Sequence, residues 1–220
     1  MNSALTRVFV WMFIGLLCTA ISALAVVRIP TLQDLVMNNS AVMIVLIVLE
    51  LGLVIGISAA INKLSSPAAI ALFLLYAVVN GLTLSFVFWA YELPTVFTAF
   101  SVTAATFGAM AIIGAVTKRD LTKIGGLCMM GLIGIMIASI VNIFIGNGPL
   151  DTLLCIVGVL IFVGLTAYDT QRIKRQLAQA GGDTGDEFVK KISVMGALSL
   201  YLNFINLFLR ILRLLGRRER

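Results

Sequence analysis

Seven long runs almost free of charge follow one another along this chain, at Val8 to Val27, Ala41 to Ile61, Ala68 to Tyr91, Thr95 to Val116, Ile124 to Ile145, Leu150 to Tyr168 and Ile192 to Leu209. Each is close to the ~20 residues a helix needs to cross the hydrocarbon core of a bilayer. The composition agrees, with 60% hydrophobic and 12% charged residues against roughly a quarter charged in soluble domains. The expected fold is an all-α polytopic membrane protein, a bundle of seven transmembrane helices at about 8–27, 41–61, 68–91, 95–116, 124–145, 150–172 and 192–213 in a single domain spanning 1–220. Only the connection Asp169 to Lys191 is long enough to hold a further element. It begins as a helical extension and passes into a solvent turn, Gly181-Gly182-Asp183-Thr184-Gly185-Asp186. No soluble catalytic domain fits.

Arg7 and Ala23-Leu24-Ala25 have the outline of a signal peptide, but the 20-residue apolar stretch between Val8 and Val27 exceeds the 7–15 residues typical of such a core, so the first run is a retained helix. Cys18, Cys128 and Cys155 stand singly in apolar runs and are small core hydrophobes. An N-terminus inside the cell places Arg7, Lys63, Lys118, Arg119, Lys123, Arg172, Lys174, Arg175, Lys190 and Lys191 on the cytoplasmic side, against Arg28 alone in the first three outside loops. The N-terminus is therefore cytoplasmic. Arg217, Arg218 and Arg220 break the pattern, since a spanning seventh run exports them and a re-entrant or surface-lying one keeps them inside.

That seventh run differs from the rest. Ser199, Asn203, Asn206, Arg210, Arg213 and Arg217 recur at steps of four and three and form one polar stripe. The stripe fits either an interfacial amphipathic helix or, as favoured here, a central helix whose polar face looks into the bundle.

Glu50 is the one carboxylate well inside a run, nine residues from Ala41 and so about 14 Å deep at 1.5 Å per residue. A charge at that depth costs at least ~2.5 kcal/mol, so it must face the bundle interior and be neutralised, paired or hydrated. Asn80 lies at similar depth in the third run, and Thr83 shares its face. Together the three form an oxygen-rich site for a cation or a proton, or alternatively a structural hydrogen-bond cluster. The chain has no His, which excludes imidazole zinc sites and Ser-His triads. It also lacks a phosphate loop, a dinucleotide fingerprint and an intramembrane carboxylate pair, so no enzyme class and no bound cofactor is indicated. Carboxylates, amides and hydroxyls suit hard cations such as calcium, or protons. The net charge of +6 reflects topology and contact with anionic lipid, not nucleic acid.

Ala167-Tyr168-Asp169-Thr170-Gln171-Arg172-Ile173-Lys174, followed by Gly196-Ala197-Leu198-Ser199-Leu200-Tyr201-Leu202-Asn203-Phe204-Ile205-Asn206-Leu207-Phe208-Leu209, resembles the signature of the Bax inhibitor-1, or transmembrane Bax inhibitor motif, family. The likeness extends to the seven runs, a Glu in the second, and Asn80-Gly81-Leu82-Thr83-Leu84-Ser85 in the third. It implies a fold with the last helix central, a pH-dependent calcium leak and, for some bacterial relatives, modulation of a membrane-bound ATP-dependent protease. The short loops point to a member from a bacterial inner membrane. The family's pH sensor is a pair of aspartates. Asp169 matches the first, while the second falls at Asn203, a departure that replaces carboxylate repulsion by an amide that can donate. Arg172, three residues on and on the same helical face, and Asn206 of the polar stripe are the further candidates for this gate, with Glu50 or Asp169 as the place for a passing calcium ion. Two function classes result. One is a passive cation conduit with Glu50, Asn80 and Thr83 on the pathway; the other is a non-conducting regulator that binds a membrane protein. Asn203 lies eleven residues into its run while Asp169 is at a membrane edge, so the two meet only if the last helix begins outside the hydrocarbon.

Overall fold

A computed structural model describes residues 3–61, 63–181 and 186–216. Gly182 to Gly185 of the expected solvent turn, and Arg217, Arg218 and Arg220 of the tail, lie outside the described residues. Among those described there are helices and no strands: α1 (Ser3–Arg28), α2 (Pro30–Met37), α3 (Ser40–Ala60), α4 (Ser66–Leu84), α5 (Val87–Ala90), α6 (Leu93–Val116), α7 (Thr122–Ile145), α8 (Gly148–Gln179) and α9 (Glu187–Leu215). Seven spans are long and apolar enough to cross a membrane, α4 and α5 together forming the third. The protein is thus an all-α polytopic membrane protein.

Three local departures have physical causes. The first connection between spans, expected to be bare, carries the eight-residue α2. Pro30 at its first turn presets φ and needs no donor, and Val36 is its buried residue. Beyond it, Asn39 caps α3 by accepting from the N–H groups of Ala41 and Val42 at 3.1 and 3.3 Å. The third span breaks at Ser85, whose hydroxyl donates to Leu82 O at 2.6 Å and whose own carbonyl accepts from Phe88 N–H at 3.1 Å, so that tighter three-residue turns replace the α-helical ladder. The sixth span, expected to end near Arg172, continues to Gln179 because Ile173 and Leu177 bury a stripe on the extension.

The chain forms two compact units, Met1–Glu92 with Gln176–Tyr201, and Leu93–Arg175 with Leu202–Arg220. In the first, α4 lies against α1 at Gly81, where a Cβ would stand 2.3 Å from the Thr19 backbone oxygen. The start of α4 is capped from a distance: Glu187 of α9 accepts from Ser66 N–H at 2.7 Å, satisfying a donor that the helix end leaves open. In the second, a Cβ at Gly114 of α6 would stand 2.2 Å from Ala167 O of α8, and one at Gly125 of α7 only 2.4 Å from the Tyr168 ring. Glycine at these positions is therefore a condition of the packing. Gln171, next on α8, holds the α6–α7 connection by donating to Thr117 O and Arg119 O at 3.4 and 2.8 Å and accepting from Leu121 N–H at 3.0 Å. Lys174 donates to Ala115 O at 2.6 Å, and Arg175 pairs with Asp120 at 2.9 Å. Of the seven spans, α9 is the most buried, at 67%.

Candidate functional site

Helix α3 turns Ile44, Val45, Val48, Leu51 and Ile55 outward, all exposed, with Ile57 as its buried residue. Glu50 is the exception on this apolar surface. Its side chain reaches α4, where the Thr83 hydroxyl donates to one carboxylate oxygen and the Asn80 amide donates to the other at 3.4 Å. The i, i+3 spacing of Asn80 and Thr83 is what lets one helix face offer both donors. The three residues singled out from the sequence come together here, in the first unit.

The cluster extends further than the sequence indicates. Asn80 Oδ1 accepts from the Tyr201 hydroxyl of α9 at 3.0 Å, and that hydroxyl lies 2.6 Å from Thr19 Oγ1 of α1. Tyr201 has one proton. Donating it to Asn80 makes Thr19 the donor to Tyr201, with Gly15 O and Ala77 O, 3.0 and 2.9 Å from Thr19 Oγ1, as alternative acceptors. The Tyr201 ring is fully buried and meets Phe73 and Tyr76 edge-on at 5.7 and 5.8 Å between centroids. A relay Glu50–Asn80–Tyr201–Thr19 therefore joins α3, α4, α9 and α1. Tyr201 passes for a core aromatic in a Leu-rich helix; the signal for Thr19 was its place with Gly15 and Ser22 on one small-residue face of α1.

In the second unit, Gly114 and Gly125 fix α8 at Ala167 and Tyr168, and the next residue is Asp169. Asn203, itself buried, donates its amide to Asp169 Oδ2 at 2.7 Å. Phe204 holds α9 beside it through edge contacts with Phe100 and Phe107 at 5.6 and 5.5 Å. The depth difficulty resolves in helix lengths: Asp169 stands 21 residues into α8 and Asn203 16 residues into α9, about 32 and 24 Å from their N-termini. The first turns of α9 thus precede the pair by most of a membrane thickness. The other two expected gate residues make no hydrogen bond to this pair. Arg172 is exposed and forms no salt bridge with Asp169, although its charge acts on that carboxylate. Asn206 donates to Leu202 O of its own helix at 2.8 Å and faces a separate cavity with Arg210 and Arg213.

No three His, Cys, Asp or Glu side chains gather into a cation cage among the described residues. A cation at Glu50 or at Asp169 would meet one carboxylate and otherwise neutral oxygens.

The whole chain, residues 1–220, matches the family described as inhibitor of apoptosis-promoting Bax1. It is similar to the inner membrane protein YbhL of Escherichia coli K12, 43% identical over 220 residues that cover 100% of this chain and 93% of that one. An uncharacterized protein of Borreliella burgdorferi is 45% identical over 218 residues, 99% of this chain and 93% of its own. An uncharacterized membrane protein of Streptococcus pyogenes serotype M3 is 46% identical over 172 residues, 78% of this chain and 73% of its own.

Proposed function

Given that the chain belongs to the Bax inhibitor-1 family of membrane proteins, we propose that it is a passive cation conduit of a bacterial inner membrane, with calcium as the leading ion and the N-terminus in the cytoplasm. Glu50, with Asn80 and Thr83, is the midplane site, and Asp169 with Asn203 is the cytoplasmic gate. The observation that carries this reading is the Glu50 carboxylate, kept on an otherwise apolar helix and met on both oxygens by neutral donors. Burial of such a group is costly, and an apolar residue would serve the packing of α3 equally well. Conduction requires a site that attracts an ion and releases it. A calcium ion at Glu50 displaces the donors of Thr83 and Asn80, and the Thr83 hydroxyl oxygen and the turned Asn80 carbonyl become ligands. One carboxylate and two neutral oxygens bind weakly compared with a many-carboxylate cage.

The test is calcium flux into liposomes that contain only this protein. Glu50→Gln should lower the flux at least tenfold while the melting temperature in detergent stays near that of the wild type. Unchanged flux reduces Glu50 to a structural hydrogen-bond acceptor. The second reading, a non-conducting regulator of a membrane protein such as an ATP-dependent protease, draws support from α3 and α7, each only 6% buried and so free to receive partner helices. Absence of flux in pure-protein liposomes favours it.

A further inference from the structure

A cavity of about 540 Å³ opens in the second unit beside the α7–α8 turn. Ser139 and Asn142 of α7, Asp151 of α8, and Asn206, Arg210 and Arg213 of α9 face it. Arg213 is paired with Asp151 at 3.2 Å. Arg210 forms no hydrogen bond or ion pair with any described residue. Two guanidinium groups against one carboxylate leave the cavity one positive charge in excess. The Arg210 stem lies across Gly158 of α8, where a Cβ would stand 3.1 Å from Nε and 3.2 Å from Cδ. Asn142 accepts from Asn147 N–H at 3.1 Å through its carbonyl, which leaves its amide group to donate.

Position and surroundings identify the ligand. Gly146, which ends α7, and Asp151, in the first turn of α8, both line the cavity. It therefore lies where two spans end, and the ends of spans meet the polar headgroup layer. The rim is apolar and open: Ile143, which also lines the cavity, is 78% exposed, and Phe144 is 85% exposed. A cationic hollow bordered by lipid-facing hydrophobic residues offers a charged head and two apolar tails what each requires. Guanidinium is the side chain best matched to phosphate, which it meets with two parallel N–H donors.

We propose that this cavity binds the phosphate of an anionic phospholipid, with Arg210 as its principal ligand, Ser139 and Asn142 as further donors, and the acyl chains lying along Ile143 and Phe144. The assignment does not rest on ion conduction.

Native mass spectrometry of the full-length protein in detergent, with phosphatidylglycerol or phosphatidylcholine added, tests it. The wild type should retain one phosphatidylglycerol, with about tenfold preference over phosphatidylcholine. Arg210→Gln should cut that retention about tenfold. Lys123→Gln, which removes an equal charge from an exposed position at the start of α7, should leave it unchanged. Equal losses in both variants, or none in Arg210→Gln, overturn the assignment. Displacement of the lipid by millimolar inorganic phosphate also overturns it, and assigns the cavity to soluble phosphate. Should Arg210→Gln fail to fold, Asn142→Asp leaves Arg210 in place and sets a second carboxylate in the cavity; retention equal to wild type in that variant overturns the proposal independently.

Discussion

Tyr201→Phe isolates the relay from the packing around it. The phenylalanine ring keeps the edge contacts with Phe73 and Tyr76 at 5.7 and 5.8 Å, so the loss is confined to one hydroxyl. Thr19 keeps Gly15 O and Ala77 O as acceptors and is left with no unmet need. Asn80 Oδ1 fares differently, since its donor is the Tyr201 hydroxyl at 3.0 Å and the atom lies in a buried residue. A buried acceptor stripped of its donor costs about 1–3 kcal/mol, while interhelical hydrogen bonds in membrane proteins average ~0.6 and reach ~1.7 kcal/mol. The expected destabilisation is therefore about 1–2 kcal/mol. At roughly 2–4 °C per kcal/mol for a chain of this size, the melting temperature in detergent should fall by about 2–8 °C. The discriminating assay is a double-mutant cycle with Asn80→Ala. Once the amide is gone, no acceptor is orphaned, so the double variant should melt close to Asn80→Ala alone, with a coupling of about 1–2 kcal/mol. Additive losses, or a Tyr201→Phe protein that melts with the wild type, refute the relay.

Gly114→Ala should cost at least about 1–3 kcal/mol, because its methyl meets the Ala167 backbone and not a movable side-chain tip; a normal melting curve would show that α6 and α8 are looser than described. Asn203→Asp sets two carboxylates where an amide now donates at 2.7 Å, an arrangement that requires a shared proton. Calcium flux in liposomes should then respond at a higher pH than in the wild type, by about a unit or more, and identical pH profiles would remove this pair from the gate. Thr122 and Arg175 hold the exposed Asp120 carboxyl down to about 2, below its ordinary ~3.9. A depressed carboxylate stabilises the fold above its ordinary pKa, and that contribution is lost as pH falls from about 4 through about 2. Asp120→Asn should accordingly flatten the melting temperature across that window, with a small effect at neutral pH because the pair is exposed; an unaltered curve would show that the contacts do not persist in solution.

How much was legible in the sequence depended on the kind of signal. Apolar length alone located the seven spans, because lipid tolerates few substitutes for twenty uncharged residues. Helical spacing brought Asn80 and Thr83 to one face, and depth matched them to Glu50. Tyr201 and Thr19 escaped, since a tyrosine among leucines and a threonine among alanines look like packing residues until a neighbouring helix supplies the partner. The pairing of Asp169 with Asn203 came from the resemblance, as hydropathy placed them at different depths. Asn206 shares their stripe, but three residues advance it about 4.5 Å along α9, enough to leave Asp169 and face another cavity. The eight residues of α2 carried no periodicity long enough to register.

The α6–α7 connection has a practical consequence for work on this protein. Surface connections are ordinarily where reporters, epitopes and split points are inserted, because little depends on their path. Here Gln171 engages the main chain at Thr117, Arg119 and Leu121 at once, while Lys174 and Arg175 hold Ala115 and Asp120. The length of this connection is matched to one face of α8. An added residue would set these polar groups out of register, on the same turns of α8 that present Asp169, so a tag inserted there would alter the site it was meant to report on.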